Sequence, residues 1–158
     1  MFCSFFGHRS CSTEIYDCLL ETLEKLIVLE GVDGFYVGNK GGFDRLVHLA
    51  LEKLKRKYPH IKTFIVLETA ESPNPRKLNM EEREYLQYIK RFDLLVPDGI
   101  EAVPKHFAIS YRNKWMIKEC DMAVVYYLYP GTNTKKFVDK LLSAGKTVIN
   151  IADINSTD

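Results

Sequence analysis

Six short apolar segments, separated by stretches of helical periodicity, constrain the fold of this 158-residue chain most strongly. They lie at residues 2–6, 34–37, 61–67, 93–96, 122–128 and 147–151. Aromatic and β-branched residues are common in them, which is typical of strands. The third is almost continuously apolar, which indicates a strand covered on both faces of a parallel sheet. The alternation predicts an α/β fold, a Rossmann-like three-layer α/β/α domain with a mainly parallel sheet.

Start and stop signals mark the helices between these segments. Ser12 or Thr13 can cap the first helix, Asp44 opens the second, and Asn79 with Glu82 forms a predicted capping box. The predicted helices cover about residues 12–30, 44–58, 79–92, 104 or 109–119, and 137–142. We expect a single domain over residues 1–152 and a short tail over 153–158, with no linker or repeat.

Composition narrows the classes of function. Apolar residues make up 46% of the chain and the net charge is +1, so bulk attraction to nucleic acid is not expected. No apolar run approaches the roughly 20 residues that span a bilayer. The first residues also lack a basic leader, so the expected location is the cytoplasm. The four cysteines and four histidines show no metal-ligand spacing, which predicts free thiols, no metal site and no cofactor.

Three glycine-containing loops follow predicted strands, at residues 7–9, 38–44 and 130–134. In open parallel sheets, ligands bind beyond the carboxyl ends of the strands, where the strand order reverses. Glycine lets backbone approach a ligand closely, and a helix start after the loop favours an anion. The predicted ligand-binding residues are Gly7, His8, Arg9, Gly38, Gly41, Gly42, Asp44, Arg112, Asn113, Pro130, Gly131, Thr132, Asn133 and Thr134.

Four of these residues have an alternative interpretation. Arg9 can bind a phosphate in a bidentate manner or be an ordinary surface arginine. His8 can contact a base or hold its loop. Asp44 can bind a ribose hydroxyl or cap its helix. Arg112 can face the cleft or form a salt bridge with Glu119 or another acid.

Several segments resemble, in order, a known family. They are Phe-Phe-Gly-His-Arg at 5–9, Gly-Gly-Phe-Asp at 41–44, Arg-Asn-Lys-Trp-Met at 112–116, Asp121, and Tyr-Pro-Gly-Thr-Asn-Thr at 129–134. This pattern resembles the YpsA-like branch of the SLOG superfamily, which also holds the LOG phosphoribohydrolases and the DprA/Smf proteins. The resemblance implies a Rossmann-like fold, a pocket for a nucleotide or nucleotide derivative, and pairing of copies into a homo-oligomer.

One departure from the family bears on catalysis. The hydrolytic LOG branch carries a glutamate after the Pro-Gly loop, and this chain has Phe137 there and Asn133 in place of a glycine. Phenylalanine can neither act as a base nor stabilise an oxocarbenium-like centre. The resemblance therefore points away from the LOG hydrolase reaction and, for this chain, from an enzyme.

Three functions follow, in order of preference. The first is a non-catalytic protein that binds an NAD- or ADP-ribose-type small molecule, as a sensor or by sequestering it. The second is a nucleotide N-glycoside hydrolase with another acid, such as Glu68, Asp44 or Asp98. The third is a single-stranded nucleic-acid-binding module that uses lysines at 53–57 and 135–140, against which the near-neutral charge argues.

Overall fold

A computed structural model describes residues 1–128 and 133–155, the last of these without its side chain. Its strands are β1 (Phe2–Gly7), β2 (Gly34–Val37), β3 (Lys62–Val66), β4 (Asp93–Leu95), β5 (Met122–Tyr126) and β6 (Thr147–Asn150). Its helices are α1 (Tyr16–Leu29), α2 (Gly41–Lys57), α3 (Met80–Ile89), α4 (Ala108–Glu119), α5 (Asn133–Ser143) and α6 (Ile151–Asn155). Short 3-10 turns lie at Thr13–Ile15, Pro75–Lys77, Ile100–Ala102 and Lys105–Phe107.

The six strands form one parallel sheet in the order β4-β3-β2-β1-β5-β6. The chain builds outward from β1 to β4, then crosses back to place β5 on the other side of β1. The order therefore reverses between β1 and β5, where Gly7 is in register with Tyr126. This confirms the Rossmann-like three-layer prediction and places the expected ligand edge at those two residues.

Helices cover both faces of the sheet. One apolar cluster joins the sheet to α1, α2 and α6, with Phe5, Phe35 and Leu51 among its fully buried members. The other lies under α4 and α5, around Met116, Val125 and Leu141. Because side chains alternate along each strand, one strand supplies both clusters, as Phe5 and Phe6 do.

Most predicted element ends agree with the structure to within a few residues. The Asn79–Glu82 capping box is present, while Ser12 caps the 3-10 turn that precedes α1. Helix α2 begins at Gly41, three residues before the predicted start at Asp44. Two glycines disfavour helix, but the Gly42 N–H donates to the Arg9 carbonyl and this tertiary contact supports the extra residues.

The last strand ends one residue earlier than predicted. Residue Ile151 begins α6, which runs across the predicted domain end at residue 152. Asn150 at the end of β6 explains the break, since its side chain accepts from the Ala152 N–H and turns the chain into the helix. None of the described helices has the length and apolar character needed to cross a membrane.

Candidate functional site

A cleft opens at the carboxyl ends of β1 and β5, where the strand order reverses. Its volume is about 660 Å³. The lining residues are His8, Arg9, Ser10, Cys11, Ser12, Tyr126 and Leu128. Of the predicted site residues that the structure describes, His8 and Arg9 line it.

His8 connects the loop after β1 with the end of β5 and the residues that follow it. Its Nε2 accepts from the backbone N–H of Leu128 at 3.0 Å, and its ring lies edge-on to Tyr126 with centroids 5.8 Å apart. Partial burial lowers the pKa of His8 below its usual value, which favours the neutral ring, and the bond from Leu128 requires the tautomer in which Nε2 carries no proton. His8 thus holds its loop, one of its two interpretations, while contact with a base stays a prediction.

Arg9 is the exposed cation of the cleft. Its guanidinium makes no hydrogen bond or ion pair with any residue that the structure describes. Its backbone, in contrast, is held firmly, because the Arg9 carbonyl accepts from the Gly42 N–H at 2.7 Å. A charged group on a fixed backbone, facing a cleft, is suited to an anionic ligand.

The glycines of the predicted site make close contacts within the protein itself. A methyl group at Gly7 would lie 2.3 Å from the Phe43 ring, and one at Gly41, whose φ is +89°, would lie 2.8 Å from the Arg9 Cα. A methyl group at Gly42 would lie 2.8 Å from the Arg9 carbonyl oxygen. Glycine at these positions lets the loop after β1 sit directly on the first turn of α2.

Arg112 lies inside the protein, 4% exposed, rather than on the cleft surface. Its Nη1 donates to Asn39 Oδ1 at 2.8 Å and lies 3.7 Å from Glu68 Oε2. Its Nε and Nη2 approach Asn113 Oδ1 at 3.3 and 3.2 Å. Of the two interpretations of Arg112, the structure shows the salt bridge, with Glu68 as the acid rather than Glu119.

Asp44 lies beside this arginine in the first turn of α2. Its Oδ2 accepts from the Lys40 N–H at 3.1 Å, which is a helix-capping role. A methyl group at Gly38 would lie 2.7 Å from Asp44 Oδ2 and 3.1 Å from Arg112 Nη2, so both side chains pack against that glycine. Burial raises the pKa of Asp44 to about 6, although the Arg112 charge and the Lys40 N–H act in the other direction.

Glu68 follows β3 and connects Lys40 with Arg112. Its Oε1 lies 3.0 Å from Lys40 Nζ, and its buried Oε2 faces Arg112 without a hydrogen bond. Burial raises the pKa of Glu68, but the hydrogen bond from Lys40 and the charges of Lys40 and Arg112 outweigh it, so the net pKa is lowered. Asp44 and Glu68 are therefore both engaged within the protein, and of the three acids considered for a hydrolase only Asp98 is exposed.

His48 was not predicted to lie in this region, yet it is fully buried there. Its Nε2 lies 2.9 Å from the Gly38 carbonyl oxygen and its Nδ1 lies 3.1 Å from the Tyr85 hydroxyl. Since a carbonyl only accepts, Nε2 carries the proton and Nδ1 accepts from Tyr85. The one available signal was the spacing of four residues from Asp44, which puts both side chains on one face of α2.

Part of the predicted site falls on the loop after β5. Pro130, Gly131 and Thr132 lie outside the described residues. Asn133 is exposed at the first position of α5, and Thr134 is buried. Phe137, at the position of the LOG glutamate, packs on Phe6 with ring centroids 5.4 Å apart.

This architecture is found in solved structures, among them two DprA proteins. DNA processing protein A (DprA) from Streptococcus pneumoniae matches with a TM-score of 0.66 and 20% identity, over 92% of this chain and 48% of that one. The fold is that of DprA. DprA from Helicobacter pylori, solved for its single-stranded DNA binding mode, matches with a TM-score of 0.63 and 12% identity, over 94% of this chain and 63% of that one.

These neighbours have a SLOG-type Rossmann-like fold, in agreement with the family resemblance, and they do not single out the YpsA-like branch. The chain spans about half to two thirds of the length of these DprA proteins. No family model matches the sequence, and no curated protein matches it significantly.

The DprA neighbours correct two predictions. The preferred function, a sensor of an NAD- or ADP-ribose-type molecule, is wrong, because the matching structures are DNA-processing proteins and one is described as binding single-stranded DNA. The expectation that nucleic acid is not a partner is wrong for the same reason. It rested on net charge, which sums the whole chain and says nothing about where the free cations lie.

Proposed function

We propose that this chain binds single-stranded DNA in the cleft between the carboxyl ends of β1 and β5. The observation that carries the proposal is Arg9, an exposed guanidinium without a protein partner among the described residues. It stands at the reversal point of a fold shared with DprA, one example of which is described as binding single-stranded DNA. Phosphate contacts supply most of the affinity of such proteins.

Two lysines at the start of α5 extend this cationic surface. Lys135 and Lys136 are exposed in the first turn of the helix that follows β5, at the same edge of the sheet as Arg9. Lys135 forms an ion pair with Asp139 at 3.1 Å, whereas Lys136 has no partner in the described part of the chain. The positive end of the α5 dipole adds to their attraction for a phosphate.

The other lysine-rich segment, residues 53–57, does not contribute to this surface. It lies at the carboxyl end of α2, and therefore at the opposite edge of the sheet. Lys57 pairs with Glu24 at 2.7 Å, and Lys55 donates to the carbonyls of Pro59 and Ile61. These charges stabilise the helix end and its loop instead.

A direct binding measurement tests the proposal. Fluorescence anisotropy of a labelled 20-nucleotide oligo-dT, titrated with the protein at low salt, should rise to a saturable plateau. Unlabelled single-stranded oligonucleotide should compete, and an equal mass of duplex should compete less. With about three phosphates contacted, log affinity should fall with log salt at a slope of about −2. If the anisotropy shows no saturable rise at protein concentrations up to about 100 μM, the proposal is refuted.

Two expectations from the sequence stay predictions. A cytoplasmic location fits a DNA-binding role and can be checked by fractionation. A homo-oligomer, implied by the family resemblance, can be checked by light scattering coupled to size exclusion.

A further inference from the structure

We propose that Arg112 is a positioning residue that fixes the loop carrying Arg9, although it never touches the ligand. The consequence for DNA rests on the function proposed above, but the fixing of the loop does not. The connection runs from Arg112 through Asn39 to the first turn of α2, and from that turn to Arg9. Each step consists of a contact in the structure.

The first step joins α4 to the loop after β2. Arg112 Nη1 donates to Asn39 Oδ1 at 2.8 Å across 73 residues of sequence. Arg112 Nη2 also lies against Gly38, so the guanidinium contacts two consecutive residues of this loop. Asn113 Oδ1 accepts from Nε and Nη2, and Glu68 adds an ion pair at Nη1, so the guanidinium is held in one orientation.

The second step joins this loop to the first turn of α2. Lys40 is the residue before the helix, and its N–H donates to Asp44 Oδ2 at 3.1 Å. The Gly38 carbonyl accepts from buried His48 one turn further on. Residues 38–40 therefore cannot shift without moving the start of the helix.

The third step carries the position to the cleft. Gly42, in the first turn of α2, donates its N–H to the Arg9 carbonyl at 2.7 Å. Gly41 lies so close to the Arg9 Cα that there is no room for a methyl group between them. The first turn of α2 is thus the support on which the Arg9 backbone rests.

Direct contact between Arg112 and a phosphate is a separate explanation, which its 4% exposure argues against. Only the positioning role requires the hydrogen bond from Arg112 to Asn39. Asn39 is half-buried, and it receives the Arg112 hydrogen bond that leads to the loop. Asn39→Ala removes this bond and leaves Arg112 with Glu68 and Asn113, whereas Asn39→Asp keeps an acceptor in place.

Hydrogen exchange on the free protein tests the connection without any DNA. In Asn39→Ala we expect the Gly42 amide, and amides of residues 8–11, to exchange at least about tenfold faster, the size of effect of a lost hydrogen bond to a charged group. Asn39→Asp should exchange like the parent. Exchange unchanged at Gly42, or faster at residues 38–40 alone, would overturn the inference.

Oligo-dT binding by the same variants then tests the consequence for DNA. Asn39→Ala should bind oligo-dT about tenfold more weakly with an unchanged salt slope, because no phosphate contact is lost. Asn39→Asp should restore the affinity. A reduced salt slope in Asn39→Ala would overturn the positioning role in favour of a direct contact. If the parent protein binds no oligonucleotide, the proposed function fails, and the exchange result still decides the role of Arg112.

Discussion

The N–H of Gly42 donates to the carbonyl of Arg9 at 2.7 Å, and this bond joins the loop after β1 to the start of α2. It holds the backbone from which the exposed Arg9 guanidinium extends. It also explains the glycines here, since the two segments meet at distances that leave no room for a Cβ. The candidate site is thus a cationic cleft whose loops are positioned from within the protein.

Close packing at Gly7 predicts a large cost for a small substitution. Gly7→Ala puts a methyl group 2.3 Å from the fully buried Phe43 ring, so unfolding in urea should show a loss of about 1–3 kcal/mol. In a Phe43→Leu background the added cost should be smaller, because the ring no longer occupies that space. Equal costs in both backgrounds would contradict the packing explanation.

The buried Asp44 should make the stability of the protein depend on pH. Its pKa is raised to about 6 in the folded protein, so its stabilising contribution to the free energy of unfolding is present below pH 4 and is lost as pH rises through 6. Asp44→Asn removes the buried charge and keeps an acceptor for the Lys40 N–H. It should match the parent near pH 4 and exceed it by up to about 3 kcal/mol at pH 8. The exposed Asp98→Asn is the control, and a difference between Asp44→Asn and the parent that does not change with pH would contradict this account.

We expect the opposite pH dependence of stability from His48. Burial lowers the pKa of His48 to about 4, so its stabilising contribution to the free energy of unfolding is present above pH 6.5 and is lost as pH falls through 4. Between pH 4 and 6 this loss opposes the gain from Asp44 in the free energy of unfolding. As pH falls from 7 to 4, the difference in free energy of unfolding between His48→Gln and the parent should therefore shift in favour of the variant. A His48→Gln curve parallel to that of the parent would show that His48 does not titrate in this range.

We expect that a glutamate at position 137, as in the LOG branch, destabilises this protein. Because Phe137 packs on Phe6 in the cluster under α4 and α5, Phe137→Glu should cost about 2–4 kcal/mol in thermal or urea unfolding. Phe137→Leu, the apolar control, should cost less than about 1.5 kcal/mol. Equal stability of the glutamate variant and the parent would show that the position tolerates an acid.

Local patterns predicted the fold because each element carries its own signal. The apolar runs located the strands, and the Asn79–Glu82 pair marked a helix start that the structure confirms. The cleft followed from a general rule, that loops after parallel strands meet at one edge. His8 and Arg9 could therefore be assigned to it from the sequence alone.

The contacts between buried side chains of the site could not be predicted from the sequence. Arg112 and Asn39 are 73 residues apart, and no periodicity reveals that they form a hydrogen bond. Glycine at 38, 41 and 42 indicated close approach correctly, yet the structure shows approach to other parts of the protein. Net charge does not reveal this distribution, because Lys55 and Lys57 are engaged at one edge of the sheet while Arg9 is exposed at the other.

The most direct test is the salt dependence of oligo-dT binding by Arg9→Ala against Arg56→Ala. Both variants lose one arginine, and Arg56 lies exposed at the opposite edge of the sheet. Arg9→Ala should weaken binding at low salt and make the slope of log affinity against log salt less steep by about 0.7, as for one phosphate contact on a single strand. Arg56→Ala should keep the parent affinity and slope. Equal behaviour of the two variants would contradict the assignment of the cleft.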